Sequence, residues 1–442
     1  MHKQIHEFRD PIHNFIYVSD DERKVISSKY FQRLRYIHQL AMTYMVYPGA
    51  SHKRFEHSLG VLSLASRVYD VITDKRLIAD DEVLKNCEEF MNKEKTEYWK
   101  KVVRLAALCH DLGHLPFSHA AEKEILPNGI DHEKITEHII VDLMSDVWSE
   151  MIPPVNPLHI AKVAIGQKKF NQGREPKNQE QFTDWERILA EIITGDAFGV
   201  DRMDYLLRDS YHIGVAYGRF DHYRLIDSIK LCYYSPEALS EKILYIGLEI
   251  GGINSAEALM LARYYMFNQV YLHRLRRIYD HHLKEFMKHW MENSGIKGIA
   301  DIIELTDNDI LSAMQKAAKE SDTRLKELAD RILNRDNFKE TYSITKEDVA
   351  LHKNAGDIIM KNLYAQFPSD ELFYDHYTSK AGKKDFPVIM RDKKIEVSTF
   401  QSSVLQHIPE ITLDTIYAHR SIVKDVSKWI KDNKENMLKG VE

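Results

Sequence analysis

Apolar residues return at three- and four-residue steps along the first two thirds of this chain, a period that helices packed on helices satisfy and strands do not. Between Arg54 and Asp74 the series His57, Val61, Leu64, Val68, Val71 places an imidazole at the head of an inward-facing apolar stripe. A second helix is predicted from about Trp99 to Cys109, through Val102, Val103, Leu105, Ala106 and Leu108, and Gly113 and Pro116 stop it just after His110-Asp111. Both helices therefore carry polar, chemically competent side chains into an apolar surface. Helical spacing resumes over Trp185–Thr194 and around Asp201, where Tyr205 and Arg208 share the face of Asp201. Asn254-Ser255-Ala256-Glu257 reads as a capping box opening a long helix through Leu259, Ala262, Met266 and Val270. Residues 166–187, rich in Lys, Gln, Asn and Gly, read as a long exposed loop bordering a site.

Beyond about residue 300 charged amphipathic helices (Ile299 to Leu333) give way to short β-type runs at Pro387–Met390, Ile395–Thr399 and Thr415–Ala418. The expected fold is mostly α: a helical catalytic domain over residues 1–300 and a smaller C-terminal α+β region over 301–442. A length of 442 residues and 44% hydrophobic content support a sizeable core and argue against disorder. No apolar run is long enough to span a membrane, and the first residues lack the apolar core of a signal peptide, so a cytoplasmic location without membrane partners is expected. Three cysteines without a C-x-x-C pair exclude a disulfide framework and a Cys-rich zinc site. A net charge of −6 gives no global footprint for nucleic acid, which leaves only local basic patches to meet a single strand. The 22 histidines are the unusual count, and they raise the question of a metal.

A lone His-Asp pair at a helix end is more often a structural hydrogen-bonded pair than a ligand set. Here it is accompanied by His57 upstream and, downstream, by Gly199-Val200-Asp201-Arg202-Met203-Asp204-Tyr205, which offers another carboxylate at a helix start. Two imidazoles and two carboxylates make a mixed nitrogen and oxygen shell suited to a divalent ion (Mn, Fe, Co, Ni, Zn or Mg) that keeps positions open for water. An ion so held activates water and polarises a phosphoryl oxygen, so hydrolysis of a phosphate ester follows. Arg54 and Arg202, each close to one of these residues, offer the planar fork of donors that a polyphosphate accepts.

The ordered set His57, His110-Asp111, Asp201 resembles the signature of HD-domain metal phosphohydrolases. More narrowly, Gln32-Arg33-Leu34-Arg35, Pro48-Gly49-Ala50-Ser51-His52, Arg54-Phe55-Glu56-His57-Ser58-Leu59-Gly60, His110-Asp111-Leu112-Gly113-His114 and Pro116-Phe117-Ser118-His119 resemble the deoxynucleoside triphosphate triphosphohydrolases, the branch with the vertebrate SAM-and-HD-domain enzyme and its bacterial relatives. The resemblance implies a metal on His57, His110, Asp111 and Asp201. It implies a catalytic imidazole at His119 supported by Glu122, with further histidines His114 and His132 beside it. It places Arg54, Arg202 and Tyr205 on phosphates, Gln39 and Asp209 on the sugar 3′-hydroxyl, and Leu40 where a 2′-hydroxyl would clash. Gln32 and Arg35 match nucleotide-effector positions, and a homo-oligomer, dimer or tetramer, is implied. The pattern departs at Ser27, where the vertebrate effector site has an acid, at Arg277, where a tyrosine lines the sugar pocket, and at Glu122, which replaces Asp; base preference and guanine-specific activation are therefore not carried over.

The expected reaction is hydrolysis of a dNTP to deoxynucleoside and inorganic triphosphate. The competing readings are an HD phosphodiesterase or nuclease acting on cyclic or oligonucleotides, and a nucleotide-sensing scaffold with an inactive HD site. The basic run Tyr271–Trp290 reads as a solvated helix face that, in an oligomer, could meet the Arg33/Arg35 region.

Overall fold

The computed structural model describes residues 5–78, 81–87, 89, 92–118, 122, 126, 130–235, 241–296, 298–320, 323–378 and 385–439. The fold is mostly α with a smaller α+β part, and the chain separates into two compact units. One comprises Met1–Met266, Ile296–Asp309 and Lys383–Ile408; the other comprises Phe267–Gly295, Ile310–Gly382 and Pro409–Glu442. Among the described residues no helix is long and apolar enough to cross a membrane.

The first unit is built around the Arg54–Thr73 helix, which packs on the Lys93–Cys109, Asp184–Thr194 and Val200–Ile213 helices. Its stripe is wider than the spacing of His57 to Val71 suggests, because Phe55, Leu59, Leu62, Ala65 and Ile72 are buried as well. Gly60 is required at its closest crossing: a Cβ there would overlap the side chains of Asp204 and Arg208. The second helix begins at Lys93 rather than Trp99, because Asn92 caps it, its side chain accepting from the backbone N–H of Glu94 and Lys95.

The exposed loop expected over 166–187 is shorter than that stretch: residues 171–183 are largely exposed and irregular apart from a 3-10 turn at Pro176–Asn178, and helices occupy both ends. Gln167–Phe170 is a helical turn with Phe170 buried, and Asn171 pairs with the Glu180 backbone through both its amide atoms (3.0 and 2.9 Å). Buried Lys162 donates to the Gln181 carbonyl at 2.6 Å and to Glu186 at 3.2 Å, just where Thr183 opens the next helix with a capping box. Asn171 thus pins the backbone of this stretch, while Lys169, Gln172 and Arg174 tie it to Asp131, Glu133 and Glu137. The helix expected from Asn254 starts one residue earlier, at Ile253, and runs to Met266 before a π-turn over Phe267–Tyr271.

Four strands of this unit carry no helical signal and were hidden by the dominant period. His6–Asp10 and Asn14–Val18 form an antiparallel hairpin. Ile229–Tyr234 pairs antiparallel with Ile243–Glu249, which pairs in parallel with Pro387–Ile389; Ile395–Val397 then adds antiparallel to Pro387–Ile389 at the edge.

In the second unit, Thr412–Ala418 is the middle strand of an antiparallel sheet, flanked by Lys339–Ser343 and Leu372–Thr378. Helices Ala355–Tyr364 and Val423–Lys439 cover it through Ile359, Leu363, Ile416, Val426 and Ile430. The basic segment 271–290 lies largely on the Arg274–Ser294 helix and is no simple solvated face: Ile278, Tyr279, His282, Leu283, Phe286 and Met287 are buried, and Arg277 forms a bidentate pair with Asp375 (2.8 and 2.6 Å).

Candidate metal centre

Three separate elements deliver the four residues of the H…HD…D pattern to one place. His57 comes from the first turn of its helix, His110 and Asp111 from the turn after Cys109, and Asp201 from the first turn of the Val200–Ile213 helix. His57 Nε2 lies 3.0 Å from Asp201 Oδ1 and 3.8 Å from Asp111 Oδ2, and His110 Nε2 lies 3.4 Å from Asp111 Oδ1 and 3.7 Å from Asp201 Oδ1. Ligating atoms of His57, His110 and Asp111 lie within 4.8 Å of one another.

The orientation of both rings fits a cation. His110 Nδ1 sits 2.8 Å from the Ala107 carbonyl, which can only accept, so this nitrogen carries the proton and the lone pair is on Nε2. That Nε2 is buried and makes no hydrogen bond, an orphan acceptor facing two carboxylates. His57 is held in the same sense by Asp204, whose Oδ2 lies 2.8 Å from Nδ1. Two inward imidazole nitrogens and two carboxylates are the donor set of a divalent ion.

The electrostatics of the group follow from its burial. Burial alone would push the His57 imidazolium down, but its hydrogen bonds to Asp201 and Asp204 and the charges of Asp204 and Asp111 outweigh this and hold it up at about 10, so a cation bound at Nε2 would have to displace the proton there. Against the upward push of burial, the cations around Asp111, Arg54 first, keep its carboxyl well below the usual range, and His110 and His57 do the same for Asp201.

Asp204, three residues after Asp201 on the same helix, holds the site from behind. Its carboxylate is fully buried and accepts from Arg208 Nε (2.8 Å) and Nη2 (3.0 Å), and His13 Nε2 lies 2.7 Å away. Arg208 in turn donates to Asp10 (2.7 Å), whose other oxygen accepts from the backbone of Ile12 and His13. The spacing Asp201, Asp204, Arg208 on one helical face was the available signal for part of this set; nothing local marks Asp10 or His13.

Arg54 donates from Nη1 to Asp111 and from Nε to Ser118 Oγ at 2.8 Å. On the other side of Asp111, His114 Nε2 lies 3.1 Å from Oδ1 and its ring stacks on His132 at 4.1 Å. Glu122 Oε1 lies 2.8 Å from His132 Nδ1 and accepts from the His132 backbone N–H at 2.7 Å. Burial and the nearby Arg54 and His132 charges keep His114 neutral, whereas the Glu122 hydrogen bond and the Glu133 charge outweigh burial and raise His132. His119 lies outside the described residues.

Gln39 and Asp209 are both bonded to His52. The Gln39 backbone N–H donates to the His52 carbonyl (3.0 Å), His52 Nε2 lies 2.7 Å from Asp209 Oδ1, and the His52 ring stacks on His212 at 4.5 Å. Gln39 Oε1 is buried without a hydrogen bond, and Leu40 is buried beside it in the chain. Arg202 turns away from the metal-ligand group: Nη1 donates to the carbonyls of Asp196 and Gly195. It also neighbours Tyr205, whose hydroxyl is pushed up by burial. Gln32 and Arg35 bond to each other at 2.9 Å, with Gln32 also donating to the Ile26 carbonyl and the Arg35 guanidinium 3.5 Å over the Phe55 ring.

Residues 54–209 match the model of the HD domain and residues 220–362 that of the HD-associated region. The chain is 30% identical to the uncharacterized protein MJ1154 of Methanocaldococcus jannaschii over 98% of this chain and 84% of that protein. It is 33% identical to the deoxynucleoside triphosphate triphosphohydrolase SAMHD1 of Bos taurus, over 50% of this chain and 38% of that much longer protein. The crystal structure of a hypothetical protein from Aquifex aeolicus superposes with a TM-score of 0.75 at 29% identity, covering 96% of this chain and 99% of that one. The chain belongs to the HD-domain family, in the group related to the deoxynucleoside triphosphate triphosphohydrolases.

Proposed function

We propose that this protein hydrolyses deoxynucleoside triphosphates to deoxynucleoside and inorganic triphosphate. The observation that carries the reading is the convergence of His57, His110, Asp111 and Asp201 with Arg54 bonded to Asp111 on one side and the histidine pair His114/His132 on the other. A divalent ion on the four residues would supply Lewis-acid polarisation of a phosphoryl oxygen. Arg54 neutralises charge building on the polyphosphate, and Arg202 and Tyr205 would join it by turning from their present partners. Water attacks the α-phosphorus, the bond to the 5′-oxygen breaks, and a proton must reach that oxygen. The hydrogen bond to Glu122 and the charge of Glu133 favour the protonated form of His132, whose ring stacks on the neutral His114, so this pair is the proposed proton source for the departing oxygen. Gln39 and Asp209, linked through His52, would read a 3′-hydroxyl, and buried Leu40 would exclude a 2′-hydroxyl.

A homo-oligomer, dimer or tetramer, and a nucleotide effector at Gln32 and Arg35 belong to the same proposal. The test is incubation of the purified chain with the four dNTPs, singly and mixed, with Mg, Mn or Co, followed by product analysis. Deoxynucleoside with inorganic triphosphate is the expected pair, and faster turnover in mixtures is the sign of an effector. Release of pyrophosphate or a monophosphate, or turnover of cyclic or oligonucleotides instead, contradicts the reading.

A further inference from the structure

Asp307 is a fully buried carboxylate of the first unit, supplied by residues 296–309, far in sequence from every motif above. Its Oδ2 accepts from the His38 backbone N–H at 2.7 Å and lies 2.6 Å from His38 Nδ1; its Oδ1 accepts from the Phe117 backbone N–H at 2.6 Å. Both oxygens are thus engaged, by donors from the two segments that frame Arg54.

On the first segment, Nδ1–H facing the carboxylate leaves His38 Nε2 as an acceptor, and Lys53 Nζ lies 2.6 Å from it. The neighbouring Ile37 carbonyl accepts from the Arg54 backbone N–H at 3.0 Å. On the second segment, Phe117 and Ser118 have φ of 55° and 61°, a left-handed conformation that side-chain-bearing residues adopt only when their surroundings impose it. The bond from Phe117 N–H to Asp307 is part of that imposition. Ser118 Oγ then donates to the His38 carbonyl at 2.9 Å and accepts from Arg54 Nε at 2.8 Å, so the two segments close on each other at Arg54.

We propose that Asp307 is a positioning residue for Arg54: by holding His38 and the left-handed Phe117-Ser118 pair, it fixes the direction in which the Arg54 guanidinium meets Asp111 and a polyphosphate. This rests on the reading of Arg54 as a phosphate contact. A carboxylate is needed because three N–H donors converge on it; an amide at this position turns one NH2 group against at least one of them.

The test is a double-mutant cycle on the full chain with Asp307→Asn, Arg54→Lys and both together, reading kcat, KM and the melting midpoint. Asp307→Asn is expected to lower kcat by about 10²-fold with little change in KM or in melting, as misplacement of a positioned group does. The double variant is expected to be no slower than Arg54→Lys alone; effects that multiply overturn the proposal, as does a kcat loss explained by unfolding. Asp307→Glu, which keeps the charge, serves where the amide variant does not fold, and it should recover part of the rate. The same proteins are titrated with inorganic triphosphate by calorimetry. A wild-type chain that binds triphosphate yet hydrolyses no dNTP removes the substrate reading, and Asp307 is then judged by binding: equal weakening in the two single variants and the double one supports it, and wild-type affinity in Asp307→Asn overturns it. A wild type that neither hydrolyses a dNTP nor binds triphosphate overturns both.

Discussion

A metal ligand is only as good as the group that orients it, and at His57 that group is Asp204. A carboxylate with no exposed surface persists because Arg208, His13 and His57 all face it. Asp204→Asn leaves Arg208 without its full partner and lets the His57 ring take the other tautomer. The expected results are a stability loss of about 3–5 kcal/mol by denaturant unfolding and a 10- to 100-fold weaker metal affinity by calorimetry; unchanged values of both would remove Asp204 from the site. Asp201→Ala is expected to abolish turnover while leaving the melting midpoint near wild type, because Asp201 sits at the rim with 36% of its side chain exposed. His57, His110, Asp111 and Asp201 were legible because each stands at the edge of an apolar periodic run, where a polar residue must have a partner. Asp10, His13 and His52 were not, since their partners, Arg208, Asp204 and Asp209, are remote in sequence and short-range spacing says nothing about that.

Helices were readable at the scale of single elements, and strands much less so. The Arg54–Thr73 helix follows from its apolar spacing, but the need for glycine at position 60 comes from the neighbouring helix alone. Gly60→Ala should raise intrinsic helix propensity by about 1 kcal/mol, yet the added methyl meets Asp204 and Arg208, so a net loss of about 1–3 kcal/mol is expected by denaturant unfolding. Ile229–Tyr234 and Ile243–Glu249 were missed because they are short and buried on both faces for part of their length, which erases the alternation that marks a half-exposed strand.

The Arg274–Ser294 helix carries a second consequence. His281, stacked on Phe373 at 3.7 Å, is pushed down to about 3 by burial and by the charges of Lys284 and Arg331, and His282 beside it is lowered by burial, by His281 and by Arg331 and His419. Both rings are neutral when folded and charge when unfolded, so the unfolded chain binds more protons below about 6.5. Stability is therefore complete above that pH and falls by up to about 1.4 kcal/mol per pH unit per ring as the solution is acidified toward 3. Melting curves from pH 7.5 to 5 check this, with His281→Gln expected to flatten the slope; an unchanged slope would show that the ring is already solvated.

For the whole molecule, the helical apolar period set the class of fold, and the collinear motifs set the family, but the way the chain returns on itself was not legible. Pro387–Ile389 pairs in parallel with Leu248 and Glu249 of the first unit after the chain has traversed much of the second. A parallel neighbour needs no turn signal, and a three-residue strand holds too little pattern to name its partner. Asp307 reaches the site by the same kind of return. The central claim is that these scattered segments build one hydrolytic centre that cleaves at the α-phosphorus. It is tested most directly by turnover of a dNTP in water enriched with ¹⁸O, with the products resolved by phosphorus NMR and mass spectrometry. One labelled oxygen on a terminal phosphorus of inorganic triphosphate and none on the deoxynucleoside is the expected result. Label in orthophosphate, pyrophosphate or a nucleoside monophosphate, or no turnover by a chain that demonstrably holds its metal, would contradict it.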